Sequence, residues 1–298
     1  FNLIVVLGPT ASGKTKLGVN LAQQLKGEII SADSRQVFRG MDIGTGKDLG
    51  EYNSIPYHLI DILDPGCEFS VFSFQQLFYQ AFEEISGRDK LPVLVGGTGL
   101  YLDAALRGYR MVEVPENPHL RAELANSELT DLQQRLLELK PSQHNNTDLE
   151  DRHRLIRAIE IAEGEQQARS AQSAPPELQP VIFGIRWERS ILRQRITERL
   201  KQRLAEGMIE EVAKLHAQGV SWERLDYYGL EYRFIAQHLQ NKLNLNDMTQ
   251  KLNSAIHQFA KRQETWFRRM EKQGTKINWL DGNGDLLSEA VQVLGKVQ

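Results

Sequence analysis

The stretch Leu3-Ile4-Val5-Val6-Leu7-Gly8-Pro9-Thr10-Ala11-Ser12-Gly13-Lys14-Thr15 decides the fold of this chain. Its first five residues form an unbroken apolar run, the mark of a parallel strand buried on both faces. Leu17, Val19, Leu21, Ala22 and Leu25 follow at helical spacing. Between strand and helix, Gly8 to Thr15 spell G-x-x-x-x-G-K-T. In that setting the loop N–H groups and the helix N-terminus cradle a polyphosphate, Lys14 neutralises it, and the Thr15 hydroxyl can hold Mg²⁺. ATP, GTP and a diphosphate ester would each suit such a loop. The expected fold class is α/β, a P-loop-type parallel sheet core flanked by helices.

The chain has 298 residues, 41% of them hydrophobic, enough for one large α/β domain or a core with an inserted module. No run approaches the roughly 18 apolar residues of a membrane helix. The sequence begins at Phe1 and enters a strand without a basic leader, so no signal peptide is visible and a few upstream residues are expected. One cysteine, Cys67, excludes an internal disulfide and a multi-Cys zinc site; it reads as a small buried residue in a reducing, cytoplasmic protein. The net charge of −3 does not advertise nucleic-acid binding globally, so local clustering must be read instead.

Beyond the first helix, Glu28 to Ala32 reads as a second strand ending in Asp33-Ser34-Arg35-Gln36. Ligands of open parallel sheets sit outside the strands' carboxyl ends, which puts this tetrad on the rim of the phosphate loop. Asp33 is either a chemical group there or the cap of a turn. Gly40 to Lys47 is glycine-rich and aperiodic, a mobile active-site loop or a plain connection. Tyr57 to Leu63 reads as an edge strand, and its Asp61 resembles a Walker-B acid only loosely. Phe69 to Ile85 carries an aromatic-rich helical face, best explained by core packing. Leu91 to Val95 is another buried strand, and Gly96-Gly97-Thr98-Gly99 turns at its end into a helix. There, Thr98 can hydrogen-bond.

The texture changes near Val112. Residues 113–179 read as a helical insertion: leucine-spaced helices stopped at Lys140-Pro141, a helix over Asp151 to Glu160 ending near Gly164, and an apolar-poor connection from Gln166 to Pro180. Residues 1–112 and 180–298 are then the catalytic core, resumed by a strand at Val181 to Ile185. From Ile191 a single long helix places Leu192, Ile196, Leu200, Leu204, Met208 and Val212 on one stripe, with Arg195, Arg199 and Arg203 beside it. Those cations form a solvated face or a phosphate-binding one. Asn253 to Met270 reads as a helix in which Lys261-Arg262-Gln263-Glu264-Thr265-Trp266-Phe267-Arg268-Arg269 interleaves cations with aromatics, a pattern suited to RNA or, for its rings, to a core.

The phosphate loop, Asp33 to Gln36, Gly40 to Thr45, Gly96 to Tyr101, Arg157-Ala158-Ile159-Glu160 and Lys261 to Trp266, in this order, resemble the tRNA dimethylallyltransferase family over nearly the whole chain. The resemblance implies transfer of a dimethylallyl group from dimethylallyl diphosphate to N6 of the adenosine on the 3′ side of the tRNA anticodon. It implies Mg²⁺, the tRNA anticodon stem-loop as partner, and no membrane; a monomer is expected. Diphosphate binding falls on Gly8 to Thr15. The chemistry falls on Lys14, Thr10, Arg195 and Arg199 at the departing diphosphate and on Asp33 as proton acceptor. The family's RNA contacts map onto Asp33, Ser34, Arg35, Gln36, Thr98, Arg121, His153, Arg154, Leu155, Ile156, Arg157, Lys261, Arg262, Gln263 and Arg268, with the insertion gripping the anticodon arm. Leu225-Asp226-Tyr227-Tyr228 departs from the family's pattern. The alternatives are an adenylate dimethylallyltransferase acting on AMP, ADP or ATP, disfavoured by the insertion and the basic helix, and a P-loop kinase or NTPase, disfavoured by the poor Walker-B acid.

Overall fold

The apolar run that opens the chain becomes the centre of a parallel sheet because both of its faces meet apolar side chains. In the computed structural model, which describes residues 1–109, 111–140, 149–167 and 175–296, Leu3, Val5 and Leu7 pack into one cluster and Ile4 and Val6 into another. Period-two alternation therefore supplies two layers at once. The elements in chain order are β1 (Leu3–Leu7), α1 (Lys14–Leu25), β2 (Gly27–Ala32), β3 (Tyr57–His58), α2 (Val71–Ser86), β4 (Leu91–Gly96), α3 (Gly99–Arg107), α4 (Pro118–Leu124), α5 (Leu129–Leu139), α6 (Arg152–Gln167), β5 (Pro180–Arg186), α7 (Arg189–Ala205), α8 (Met208–Ala217), α9 (Trp222–Tyr227), α10 (Leu230–Leu239), α11 (Leu245–Lys272), β6 (Asn278–Asp281) and α12 (Leu286–Leu294). The strands pair in the order β3-β2-β4-β1-β5-β6, all parallel, with Ile4 opposite Val93 on one side and Val181 on the other.

By internal contacts the chain divides into two units, 1–108 with 175–298, and 109–174. In the first, α2 and α3 cover one sheet face through Phe74, Phe78, Tyr101 and Leu102, and α1 and α12 cover the other through Leu17, Leu21, Ala290 and Leu294. A third cluster joins α7 to α11 with Val37, Phe38 and Met41 from the segment after β2. In the second unit, Leu120, Leu124, Leu132, Leu136, Leu155, Ile156, Ile159 and Ala162 form a separate core among α4, α5 and α6. Asn117 caps α4 by accepting the Leu120 N–H, and Pro118 opens the helix where its missing N–H costs nothing.

Several elements differ from expectation. The edge strand stops at His58, because Leu59 and Asp61 take positive φ angles of 63° and 55° that no strand accommodates. The long helix expected from Ile191 breaks at Gly207, whose φ of 100° ends α7 and starts α8. Conversely, α6 runs through Gly164, which lies against Val114. Helix α11 starts earlier than expected, at an Asn244 cap. Cys67 is exposed rather than buried, since it sits in the turn after Asp64-Pro65-Gly66 instead of a packed element. Pro141 and residues 168–174 of the expected connection lie outside the described residues. No helix among the described residues is long and apolar enough to cross a membrane.

Candidate active site

Beyond the carboxyl end of β1 the phosphate loop is tied down carbonyl by carbonyl, by its own lysine and from outside. The Pro9 carbonyl accepts from Lys14 Nζ at 3.3 Å, the Ala11 carbonyl from Arg195 Nε at 2.9 Å, and the Ser12 carbonyl from Trp187 Nε1 at 2.9 Å. The Arg195 guanidinium lies 4.1 Å over the Trp187 ring, so one stacked pair anchors two successive carbonyls. Ala11 and Gly13 adopt positive φ, 62° and 90°. Among the described residues, the N–H groups of Ala11, Gly13, Lys14 and Thr15 make no hydrogen bond to protein. With its carbonyls turned away and its amides free at a helix N-terminus, the loop has the geometry of an anion-binding nest.

Gln263 of α11 fixes this loop to the second glycine turn. Its side-chain oxygen accepts the Thr10 N–H at 2.9 Å and its amide nitrogen donates to the Gly97 carbonyl at 2.9 Å. Gln263 is buried, and a Cβ at Gly97 would overlap it. This corrects the expectation of an RNA contact there, because both ends of the amide are consumed inside the protein. Trp266 lies against Gly99 and Phe267 is in the core, while Lys261, Arg262 and Arg268 are exposed. Trp266 and Phe267 therefore face inward and these cations outward.

Asp33 sits past the end of β2. Its Oδ1 accepts the Arg35 N–H at 2.8 Å and the Gln36 N–H at 3.4 Å, an Asx turn. Oδ2 has no hydrogen bond among the described residues, so capping the turn leaves the second oxygen of the carboxylate open. Thr98 Oγ1 accepts the Ser34 N–H at 3.4 Å. Gln36 accepts from Ser31 Oγ at 2.9 Å and donates to the Gly46 carbonyl at 3.1 Å. Arg35 donates to the Tyr227 carbonyl at 2.8 Å and lies 4.9 Å over its half-exposed ring. Tyr228, by contrast, is buried.

The Gly40 to Lys47 segment is pinned, which decides against the mobile-loop reading. Buried Lys47 donates to the Phe38 carbonyl at 2.7 Å, to Asp42 Oδ1 at 2.6 Å and to Asp61 Oδ1. Asp61 is thus spent on Lys47 and does not serve as a Walker-B acid. Across the loop, the Glu211 carboxylate of α8 accepts the N–H groups of Asp42, Ile43 and Gly44 at 2.9, 2.7 and 3.0 Å, and the Tyr232 hydroxyl at 2.7 Å.

A small cavity next to the loop is lined by Thr10, Ala11, Ile196, Arg199, Leu200, Arg203, Glu231 and Ile256. Arg199 pairs with Asp48, and Arg203 is buried beside it. Lys14 lies in this field: burial, with help from Arg199, lowers its ammonium to about 8. Burial also pushes the Glu231 carboxyl above the usual range. The sequence pattern groups Arg203 with Arg195 and Arg199 beside the apolar stripe and gives no sign of Glu231; in the structure Arg203 shares the buried face of Leu192, Ile196 and Leu200.

In the insertion, Leu155 and Ile156 belong to the core, which corrects their assignment as RNA contacts. The buried Glu160 accepts Arg121 in a bidentate pair at 2.8 and 2.9 Å, Arg157 at 3.1 Å and the Asn117 N–H at 2.9 Å. Burial alone would raise its carboxyl, yet these donors hold it below the usual range. Arg121 and Arg157 are therefore structural partners first. His153 and Arg154 are exposed.

Residues 36–270 match the family described as IPP transferase. The chain is 64% identical over 293 residues to a protein of Trichlorobacter lovleyi named tRNA dimethylallyltransferase 2, covering 98% of this chain and 96% of that one. It is 63% identical over 294 residues to tRNA dimethylallyltransferase 1 of Geotalea uraniireducens, covering 98% and 97%. Among solved structures, the full-length tRNA isopentenylpyrophosphate transferase of Bacillus halodurans aligns with a TM-score of 0.73 at 34% identity, over 99% of this chain and 95% of that one.

Proposed function

The chain belongs to the IPP transferase family, and from that premise we propose that it transfers a dimethylallyl group from dimethylallyl diphosphate to N6 of the adenosine on the 3′ side of the tRNA anticodon. The observation that carries the reading is the rigid rim: an anion nest, Lys14 and an Asp33 carboxylate with one free oxygen, locked together by Gln263 and Thr98.

In the proposed reaction the adenine N6 attacks C1 of the dimethylallyl group, the C1–O bond breaks, and its electron pair leaves with the diphosphate. The N6 proton passes to Asp33 Oδ2, help typically worth roughly 10²–10⁴ in rate. Lys14, the free loop amides and Arg199 stabilise the charge that develops on the leaving group, and Arg195 keeps the loop in shape through Ala11. The Thr10 hydroxyl, which makes no hydrogen bond among the described residues, faces the diphosphate's bridging region in this reading. The Thr15 hydroxyl, likewise unengaged, is the residue that would hold Mg²⁺ together with diphosphate oxygens; the ion would supply further charge neutralisation there.

The target adenosine must leave its stack, at a cost of a few kcal/mol. Ser34, Arg35, Gln36 and Thr98 would receive it on the rim, while exposed Lys261, Arg262 and Arg268, and Arg154 on the insertion, offer cations to the RNA backbone, with exposed His153 beside them as a further hydrogen-bonding group. A monomeric, cytoplasmic enzyme is part of the same proposal, supported by the lone cysteine and by tRNA as substrate. The test is digestion of tRNA treated with enzyme and dimethylallyl diphosphate: N6-dimethylallyladenosine in the digest is expected, and unmodified adenosine alone would refute the reading.

A further inference from the structure

We propose that Arg203 is a further diphosphate-binding residue of this site, and that the Asp48 carboxylate competes with the substrate for it. The inference rests on the transferase reading above. Arg203 is 9% exposed, and its Nη2 is buried without a hydrogen bond among the described residues. Burying a guanidinium N–H unpaired is costly, and such a group is expected to have a ligand. Its surroundings say which kind. The cavity that Arg203 lines also holds Thr10 and Ala11 of the phosphate loop and Arg199. Arg203 Nη2 lies 3.9 Å from Asp48 Oδ2, beyond hydrogen bonding, and that same oxygen is paired with Arg199 Nη2. One carboxylate oxygen thus faces two guanidinium groups and satisfies only one.

Against the guanidinium groups themselves lies a glycine. A Cβ at Gly46 would overlap the Arg203 guanidinium and come within 2.9 Å of Arg199 Nη2, so the backbone closes directly over both cations. That closure is rigid, because Lys47 and Glu211 pin the segment on either side of Gly46. The carboxyl that lines the cavity is Glu231, which burial pushes above its usual range. A diphosphate, with several anionic oxygens, can satisfy both guanidinium groups at once where Asp48 cannot.

The test uses the full chain and inorganic diphosphate as probe, with binding followed by calorimetry. Arg203→Met should weaken diphosphate binding by about tenfold or more and raise the KM for dimethylallyl diphosphate in parallel, with the KM for tRNA unchanged. Arg203→Lys should recover part of the loss. Asp48→Asn should tighten diphosphate binding severalfold, an effect that a purely structural role for Asp48 would not give. Diphosphate affinity equal to wild type in folded Arg203→Met would overturn the proposal. Should that variant not fold, unchanged or weaker binding by Asp48→Asn would overturn it instead. Wild type that binds diphosphate but leaves tRNA unmodified would sink the transferase reading and leave the Arg203 assignment standing.

Discussion

Gln263 Oε1 accepts the Thr10 N–H at 2.9 Å across 253 residues of sequence, and through its amide nitrogen the same side chain holds Gly97. The two glycine turns of the rim are thereby set at a fixed separation by a residue on neither. Gln263→Leu leaves a part-buried N–H and a buried carbonyl unpaired, so a stability loss of about 1–3 kcal/mol is expected in thermal unfolding. The catalytic efficiency for dimethylallyl diphosphate should fall at least about tenfold, while tRNA affinity, carried by exposed neighbours, stays the same.

Asp33 separates its two duties by oxygen. Asp33→Asn keeps an acceptor for the Arg35 and Gln36 N–H groups, so the turn should survive. The base is lost, and kcat should drop by roughly 10²–10⁴ with the KM for tRNA nearly constant in steady-state assays. A KM effect of the same size would assign Asp33 to binding instead.

Lys14 gives the site a pH signature. Its ammonium, brought down to about 8 by burial and Arg199, is charged at neutral pH and loses its proton as pH rises through 8. Diphosphate, a stronger anion than any neighbour, favours the charged form, so binding at pH 8 to 9 should take up protons, read by calorimetry in buffers of different ionisation heat. Lys14→Met should abolish that uptake. For stability the sign is opposite to a salt bridge: between about 8 and 10.5 the unfolded chain binds the proton that the folded chain has released, so stability gains from this group as pH rises through that window.

The exposed cations and the insertion's inner charges should respond differently. Arg268→Gln or Arg154→Gln should raise the KM for tRNA and reduce the salt slope of binding by about one unit for each phosphate contact removed. Glu160→Gln instead uncouples Arg121 and Arg157 from a buried partner, with about 3–5 kcal/mol of destabilisation expected. With Glu160 intact, its carboxylate contributes stability above the usual carboxylate pKa of 4.5, and that contribution is lost as acid protonates it below that value.

The sheet was legible because its strands are apolar runs punctuated by glycine: β1, β2, β4 and β5 fall within a residue or so of their expected bounds. Breaks caused by single backbone angles, at Leu59 and Gly207, leave no trace in hydrophobic pattern. Gln263 was misread for a different reason. Its sequence neighbours are cations, yet Ile256, Ala260, Gln263, Phe267 and Met270 are spaced by three and four and form the buried stripe of α11. The same spacing puts Leu155 and Ile156 on the buried face of α6 and Arg203 on that of α7. Pairings such as Glu211 with the Asp42 to Gly44 amides join residues about 170 apart, and no local signal announces them.

The most direct measurement incubates the protein with radiolabelled dimethylallyl diphosphate and, in parallel, unmodified tRNA bearing adenosine 3′ to its anticodon, the same tRNA with guanosine at that position, and AMP or ATP. Label on the adenosine-bearing tRNA alone is the predicted result. Label on the free nucleotides, or on none of the acceptors while ATP is hydrolysed, would contradict the account.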